Sequence, residues 1–113
     1  MKIDYNVLKE IVIPNFRGGE GDFFIKSYGD ERCKINIMRL QPGTYNGMHT
    51  HEVDSEIFYV LSGTATIKNS DGTQDTLSAG DVSYCPMGTG HSVINTGTTE
   101  LVLFSVVPKH VQT

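Results

Sequence analysis

The chain has 113 residues, of which 38% are hydrophobic and 19% charged, and this balance excludes an intrinsically disordered segment. No stretch of the sequence approaches the roughly 20 apolar residues that span a bilayer, so we expect no membrane partner. Nine basic residues stand against 13 acidic ones, a net charge of −4. Because nucleic-acid binding needs Lys and Arg to neutralise phosphates, the sequence also argues against a nucleic-acid partner.

The first ten residues, MKIDYNVLKE, are too polar for a secretory signal. We therefore expect a cytoplasmic protein, in which Cys33 and Cys85 stay reduced thiols rather than forming a disulfide. The only helical candidate in the sequence is a weak turn around Tyr5–Glu10.

Short stretches rich in Val, Ile, Phe, Tyr and Thr follow at even spacing, separated by turn residues such as Asp71-Gly72. These residue types fit a pleated sheet, and Asp-Gly favours a tight hairpin turn. Seven strands are predicted: Phe23–Lys26, Ile35–Leu40, Ile57–Leu61, Thr64–Lys68, Val82–Cys85, Ser92–Asn95 and Leu101–Val107. Short strands without a long helical period indicate an all-β sandwich or barrel.

Two of the predicted strands, Ile57–Leu61 and Leu101–Val107, are apolar on both faces. An antiparallel sheet commonly exposes one face to water, so something should cover the outer face here. A second copy of the chain is the simplest cover, and we predict a homodimer on this basis. The alternative is that the N-terminal arm, Ile3 to Ile13, folds across that face instead.

Four candidate metal ligands stand out: His49, His51, Glu56 and His91. Residues two apart on a strand point to the same side, so the imidazoles of His49 and His51 can converge on one ion. Three imidazoles and one carboxylate suit a divalent first-row metal and leave coordination positions open for water, dioxygen or substrate oxygens. Two histidines at this spacing are weak evidence by themselves, and the residues around them decide their interpretation.

The spacing around these four residues resembles the two motifs of the cupin family. The first motif reads G(X)5HXH(X)3,4E(X)6G, and residues 43–63, GTYNGMHTHEVDSEIFYVLSG, match every fixed position. The second reads G(X)5PXG(X)2H(X)3N, and residues 80–95, GDVSYCPMGTGHSVIN, match every fixed position as well. The two motifs cover about half of the chain, and only a short segment separates them.

The resemblance implies a small antiparallel β-barrel, or double-sheet jelly roll, formed as a single cupin domain by residues 1–113. It also implies that His49, His51, Glu56 and His91 are the ligands of one divalent transition metal in the mouth of the barrel. Such donors accept Mn, Fe, Ni, Co, Cu or Zn, and the sequence leaves the choice open. Glu52 is a rival carboxylate that should point away from His51, and Asp54 has the wrong spacing for the motif.

Glu52, Asp54 and Ser55 are expected to form the solvated rim of the site. The alternative is that one of them acts as an acid or base behind the metal ligands. Strand alternation from the ligands predicts which further residues line the pocket. The predicted lining residues are Tyr45, Met48, Phe58, Val93 and Phe104. Tyr45 carries the one inward hydroxyl that could orient a substrate or donate a proton, so it is the catalytic candidate. For Phe58, Val93 and Met48, plain packing in the barrel is the favoured interpretation.

The resemblance implies a metal-dependent enzyme that acts on a small polar substrate such as a carboxylate, keto or enediol compound. A dioxygenase or decarboxylase is favoured, with an isomerase or lyase as an alternative. A second alternative is a module that binds a metal or small ligand without turnover, since fold alone does not determine function. Tyr45 is the only acid or base that the sequence positions beside the metal, so both classes stay open.

Overall fold

Strands dominate the architecture of residues 1–110, which are the residues that the structure, a computed structural model, describes. The strands are β1 (Ile11–Pro14), β2 (Asp22–Gly29), β3 (Cys33–Leu40), β4 (His49–Thr50), β5 (Glu56–Ser62), β6 (Thr64–Asn69), β7 (Gln74–Ser78), β8 (Val82–Cys85), β9 (Gly90–Asn95) and β10 (Leu101–Pro108). One short 3₁₀ turn, Phe16–Gly18, follows β1. Within the described residues, no helix is long and apolar enough to cross a membrane.

The strands form two antiparallel sheets. The larger sheet has the order β1-β2-β3-β10-β5-β8, and the smaller has the order β4-β9-β6-β7. One core cluster joins them, with Phe23, Leu40, Phe58 and Leu103 from the larger sheet and Ile67 from the smaller. These side chains are essentially inaccessible to water, so the hydrophobic effect holds the two sheets face to face. The all-β, double-sheet architecture predicted from the sequence is confirmed.

All seven predicted strands lie within observed ones. The three observed strands that the prediction missed are β1, β4 and β7. β4 has only two residues, and β7 is a polar edge strand in which Leu77 alone is buried. Neither has a hydrophobic pattern of its own, because each depends on pairing with a neighbour. The predicted helical turn around Tyr5–Glu10 is an isolated turn, closed by a 3.2 Å hydrogen bond from Val7 N–H to the Asp4 carbonyl.

β10 lies in the centre of the larger sheet, between β3 and β5. Its residues alternate between buried and half-buried, with Leu103, Ser105 and Val107 facing the interior. Phe104 therefore faces outward, where its backbone partners are Ile37 and Tyr59. The prediction that Phe104 lines the pocket is wrong, because regular alternation places its neighbours inside.

The outer face of β5 and β8 is apolar and exposed. Its exposed side chains are Ile57, Tyr59, Leu61, Val82 and Tyr84. The N-terminal arm lies elsewhere, over β2 and β3, where Lys26 Nζ donates a 2.8 Å hydrogen bond to the Tyr5 carbonyl and Arg39 pairs with Glu10 at 2.8 Å. The arm thus covers one part of the outer surface and leaves the β5–β8 face uncovered.

A strained loop, Asn15–Gly19, packs against the segment that leads into β4. Asn15 and Arg17 both have left-handed backbones, with φ of 50° and 54°. This conformation is unfavourable for most residues other than glycine, and more so for Arg than for Asn. Gly47 N–H donates to the Phe16 carbonyl at 3.1 Å, and a Cβ at Gly47 would lie 1.8 Å from the Arg17 carbonyl oxygen. Glycine is therefore required at position 47 for the loop to approach so closely.

Candidate metal centre

Four side chains from separate parts of the chain meet in the interior of the barrel. One ligand atom from each of His49, His51, Glu56 and His91 lies within 4.8 Å of all the others. The pairing of β4 with β9 sets His49 directly opposite His91, so both imidazoles project from the same face of the smaller sheet. Glu56, the first residue of β5, reaches the cluster from the larger sheet.

The donor atoms of the buried members are close together. His51 Nε2 lies 3.1 Å from His91 Nε2 and 3.3 Å from Glu56 Oε1. His91 Nε2 is 3.1 Å from the same carboxylate oxygen. These three residues are buried, whereas His49 is half-buried at the edge of the cluster. The arrangement has a protected side and an open side toward His49.

Two of the imidazoles are oriented by hydrogen bonds at their Nδ1 atoms. His49 Nδ1–H donates to the Gly47 carbonyl at 2.9 Å, and His51 Nδ1–H donates to Asp54 Oδ1 at 2.6 Å. Each bond leaves the Nε2 lone pair free to face the centre, which is the usual way that proteins orient histidine ligands. Asp54, expected on the rim with a role behind the ligands as the alternative, is thus in direct contact with a candidate ligand.

Ser105 anchors the carboxylate of Glu56, and the sequence interpretation missed it. Its hydroxyl donates a 2.6 Å hydrogen bond to Glu56 Oε2, which leaves Oε1 facing the imidazoles. Ser105 is fully buried on β10. The signal that could have identified it is a lone hydroxyl within an otherwise apolar strand, because a buried polar group needs a partner.

His91 is held by packing against Phe58 and by the contacts of its Nε2 atom within the cluster. The Phe58 ring stacks on its imidazole with the ring centroids 5.2 Å apart and the planes at 18°. Its Nδ1 is buried and has no hydrogen-bond partner among the described residues. The only polar contacts that the imidazole makes within the described chain are therefore at Nε2, toward the cluster.

Burial and mutual contact shift the pKa values of the cluster. Burial, with smaller contributions from the neighbouring imidazoles and the Arg17 charge, lowers the pKa of His49 to about 4. Burial raises the pKa of Glu56, but hydrogen bonds from His51, His91 and Ser105 outweigh it and lower that pKa to about 2. At neutral pH, His49 is therefore a neutral imidazole and Glu56 is a carboxylate, the forms that bind metal ions.

The chemistry of the donor set fits a metal ion. Metal binding requires His51 as a neutral imidazole, and with its Nδ1–H held by Asp54 its Nε2 then presents a lone pair 3.1 Å from His91 Nε2 and 3.3 Å from Glu56 Oε1. At these distances the atoms share protons in hydrogen bonds, and a bound cation would take the place of those protons. Three imidazole nitrogens and one carboxylate oxygen are donors that first-row divalent metals accept. The four residues could therefore hold such an ion.

The second motif positions the turn that packs beside the cluster. Gly88 N–H donates to the His51 carbonyl at 2.7 Å, and His51 N–H donates to the Thr89 carbonyl at 2.9 Å. Further along, the buried Asn95 side-chain amide donates to the carbonyls of Leu40 and Thr99. These contacts tie the turn before β9 and the loop after it to the rest of the barrel.

A cavity of about 400 Å³ opens beside the cluster, a size that is ordinary for small-molecule sites. Its walls are formed by Ile11, Ile13, Phe16, Arg17, Ile25, Ser27, Lys34, Asn36, Met38, Asn46, His49, His51, Asp54, Glu56, Phe58 and Val107. Of the five lining residues predicted from the sequence, Phe58 lies there. Tyr45, Met48, Val93 and Phe104 do not, within the part of the chain that the structure describes.

The error at Tyr45 has a simple cause. Residues 46–48 are not in a strand, so the alternation counted back from His49 does not hold there. Asn46 faces the cavity instead, with its Oδ1 accepting a 2.7 Å hydrogen bond from Val93 N–H. Met48 is half exposed, and Val93 is buried in the core. The cavity wall thus contains Asn46 where the sequence predicted Tyr45.

Comparison with known proteins agrees with the architecture. The cupin-domain family matches residues 36–107. The chain belongs to the cupin family. A crystal structure of a predicted oxalate decarboxylase from Thermotoga maritima superposes with a TM-score of 0.89 at 30% identity, covering 96% of this chain and 99% of that one. The cupin resemblance read from the sequence is confirmed.

Two curated relatives have names that refer to oxalate. The oxalate-binding protein of Thermotoga maritima is 34% identical over 101 residues, which cover 84% of this chain and 83% of that protein. Oxalate decarboxylase of Bacillus subtilis is 36% identical over 74 residues, which cover 62% of this chain but 19% of that enzyme. The first relative therefore matches nearly end to end, whereas this chain spans about a fifth of the second.

The contact between Ser105 and Glu56 can be tested by replacing Ser105 with Ala. Loss of a partner that orients a ligand typically weakens metal binding about 10- to 100-fold, so we expect a loss of that size in S105A. A chelator-competition titration with Mn²⁺ measures it. Ser62→Ala is the matched control, because Ser62 is exposed at the end of β5. Equal affinities in the two variants would contradict the anchoring role.

Proposed function

We propose that this cupin binds one divalent transition metal through His49, His51, Glu56 and His91, and a small dicarboxylate of the oxalate type on the open positions. The observation that carries the proposal is the convergence of four donor atoms within 4.8 Å at the edge of a cavity. The ion would supply positive charge and free coordination positions for carboxylate oxygens. The near end-to-end similarity to an oxalate-binding protein supports this choice of ligand.

The charges around the cavity also favour an anionic ligand. Arg17 and Lys34 are the cationic side chains that line it among the described residues. The carboxylates of Glu56 and Asp54 are already engaged, the first by Ser105 and the second by His51. An incoming carboxylate would therefore meet positive charge from the metal and from Arg17. Arginine side chains bind carboxylates through two parallel hydrogen bonds in one plane.

Binding without turnover is better supported than catalysis. Decarboxylation and isomerisation need a group that moves a proton, and Tyr45, the catalytic candidate, lies outside the lining. The lining carboxylates, Glu56 and Asp54, are both held in hydrogen bonds to neighbouring side chains. Decarboxylation is the second candidate, because a stretch of 74 residues is 36% identical to an oxalate decarboxylase. The dioxygenase, isomerase and lyase activities expected from the family stay predictions.

Metal-dependent ligand binding is the direct test. Protein stripped with a chelator should not bind oxalate, and Mn²⁺ should restore binding, as measured by calorimetry. In H49A, loss of one imidazole should weaken Mn²⁺ binding by at least about tenfold, and oxalate binding with it. His110→Ala is the control, since His110 lies outside the cluster and contacts Ser55. Oxalate binding that is equally strong in metal-free protein would refute the proposal.

The same samples distinguish binding from turnover. Incubation of the Mn²⁺-loaded protein with oxalate should leave the oxalate concentration unchanged. Release of formate and CO₂ that is lost in H49A would instead establish the decarboxylase. Oxygen uptake that depends on an added substrate and on His49 would establish the dioxygenase.

The contribution of Arg17 can be isolated because its backbone is left-handed. Arg17→Asn removes the charge, and Asn tolerates this conformation better than most residues, so the loop should keep its shape. A charge-assisted hydrogen bond is worth roughly 1.5–3 kcal/mol, so we expect oxalate binding to weaken about 10- to 100-fold at unchanged Mn²⁺ affinity. Arg32→Asn, a charge-matched change outside the cavity, should have no effect. Unchanged oxalate affinity in R17N would exclude contact with the ligand.

We also propose that a second copy of the chain covers the apolar outer face of β5 and β8. The N-terminal arm covers β2 and β3 instead, so the alternative cover considered from the sequence does not reach this face. That residues 1–113 form one domain and that the protein is cytoplasmic also stay predictions.

Sedimentation of a charged variant tests the dimer. Tyr59 lies within the exposed apolar face. In Tyr59→Glu, dimer formation would remove an unpaired carboxylate from water, which is costly. The variant should therefore be monomeric where the unmodified chain is dimeric. Val53→Glu is the control, because Val53 is exposed outside this face. An unmodified chain that sediments as a monomer at micromolar concentration would refute the dimer.

A further inference from the structure

The cavity extends well beyond the four-residue cluster, across the larger sheet. Register places Ser105 opposite Asn36, and Leu103 opposite Met38. Met38 in turn pairs with Ile25, which pairs with Ile11 at the sheet edge. Because neighbouring strands are about 4.8 Å apart, Met38 and Ile25 lie roughly 5 and 10 Å across the sheet from β10.

The far part of the cavity is an apolar wall, formed by Ile11, Ile13, Ile25 and Met38. Ile11 is 53% exposed although it faces the cavity. A molecule of the size of oxalate, bound at the cluster, would be too short to cover this wall. The apolar surface would then stay in contact with water, which is unfavourable.

We propose that the preferred ligand is a carboxylate with an apolar arm that extends from the cluster to the isoleucines of β1 and β2. The inference rests on the proposed function, because the carboxylate end is held at the metal. Arg17 and Lys34 favour the negative charge, and Asn36, beside Ser105, offers a polar contact near the head group. The arm must cover one to two strand spacings, about 5–10 Å, to contact Met38 and Ile25.

Two 2-oxo acids with the same head group form the test. Pyruvate has only a methyl group beyond the keto carbon, whereas 2-oxohexanoate adds three methylenes. Each fully buried methylene tightens binding about fourfold. With the Mn²⁺-loaded full chain, we therefore expect 2-oxohexanoate to bind at least about tenfold more tightly than pyruvate, as measured by calorimetry.

Two neighbouring residues of β1 supply a matched pair of variants. Ile11 faces the cavity, and Val12 points to the opposite side of the strand with nearly the same exposure, 53% against 50%. Ile11→Ser should remove about threefold or more of the preference for 2-oxohexanoate over pyruvate, whereas Val12→Ser should keep it. Because both residues are exposed on an edge strand, neither change should unfold the barrel.

The outcomes separate this inference from the proposed function. Metal-dependent binding of oxalate and pyruvate, with no gain for 2-oxohexanoate, would overturn the apolar arm and leave the metal-dependent carboxylate site standing. An equal loss of preference in I11S and V12S would overturn the assignment to this wall. Absence of metal-dependent binding of any of the three acids would overturn both proposals together.

Discussion

The buried carboxylate of Glu56 is the constraint on which the site depends. A charge removed from water is costly unless it is paired and hydrogen-bonded. Glu56 meets this requirement with Ser105 on one oxygen and the imidazoles of His51 and His91 on the other. Because these partners come from β10, from the segment after β4 and from β9, the carboxylate is satisfied only when both sheets are assembled. The cluster is therefore complete only in the assembled barrel.

On the open side of the same cluster, the orientation of His49 depends on a strained loop that packs closely against Gly47. The loop with left-handed Asn15 and Arg17 packs against Gly47, whose carbonyl accepts the hydrogen bond from His49 Nδ1. Strained residues of this kind persist only where the surroundings hold them, and they concentrate at functional sites. Here one contact at Gly47 links the orientation of the half-buried imidazole to the position of the cavity's arginine.

The larger sheet has different roles on its two faces. On the inward face of β10, Leu103 packs in the hydrophobic core and Ser105 holds the carboxylate of Glu56. Outward residues such as Phe104 belong to the apolar surface next to the exposed face of β5 and β8. A strand that is apolar on both faces thus borders the candidate site on one side and an outer surface on the other, which explains why its sequence lacks simple alternation.

The sequence alone predicted the fold class, the seven principal strands and the four residues of the candidate metal cluster, because these depend on local residue types and on the spacing within two motifs. It could not determine which side chains surround the cluster. Ser105 and Arg17 reach it from distant segments, and only strand order and the left-handed loop bring them there. Tyr45 was misplaced and Asn46 overlooked because the chain leaves the strand before His49. Alternation predicts facing within a regular strand, and tertiary packing decides it everywhere else.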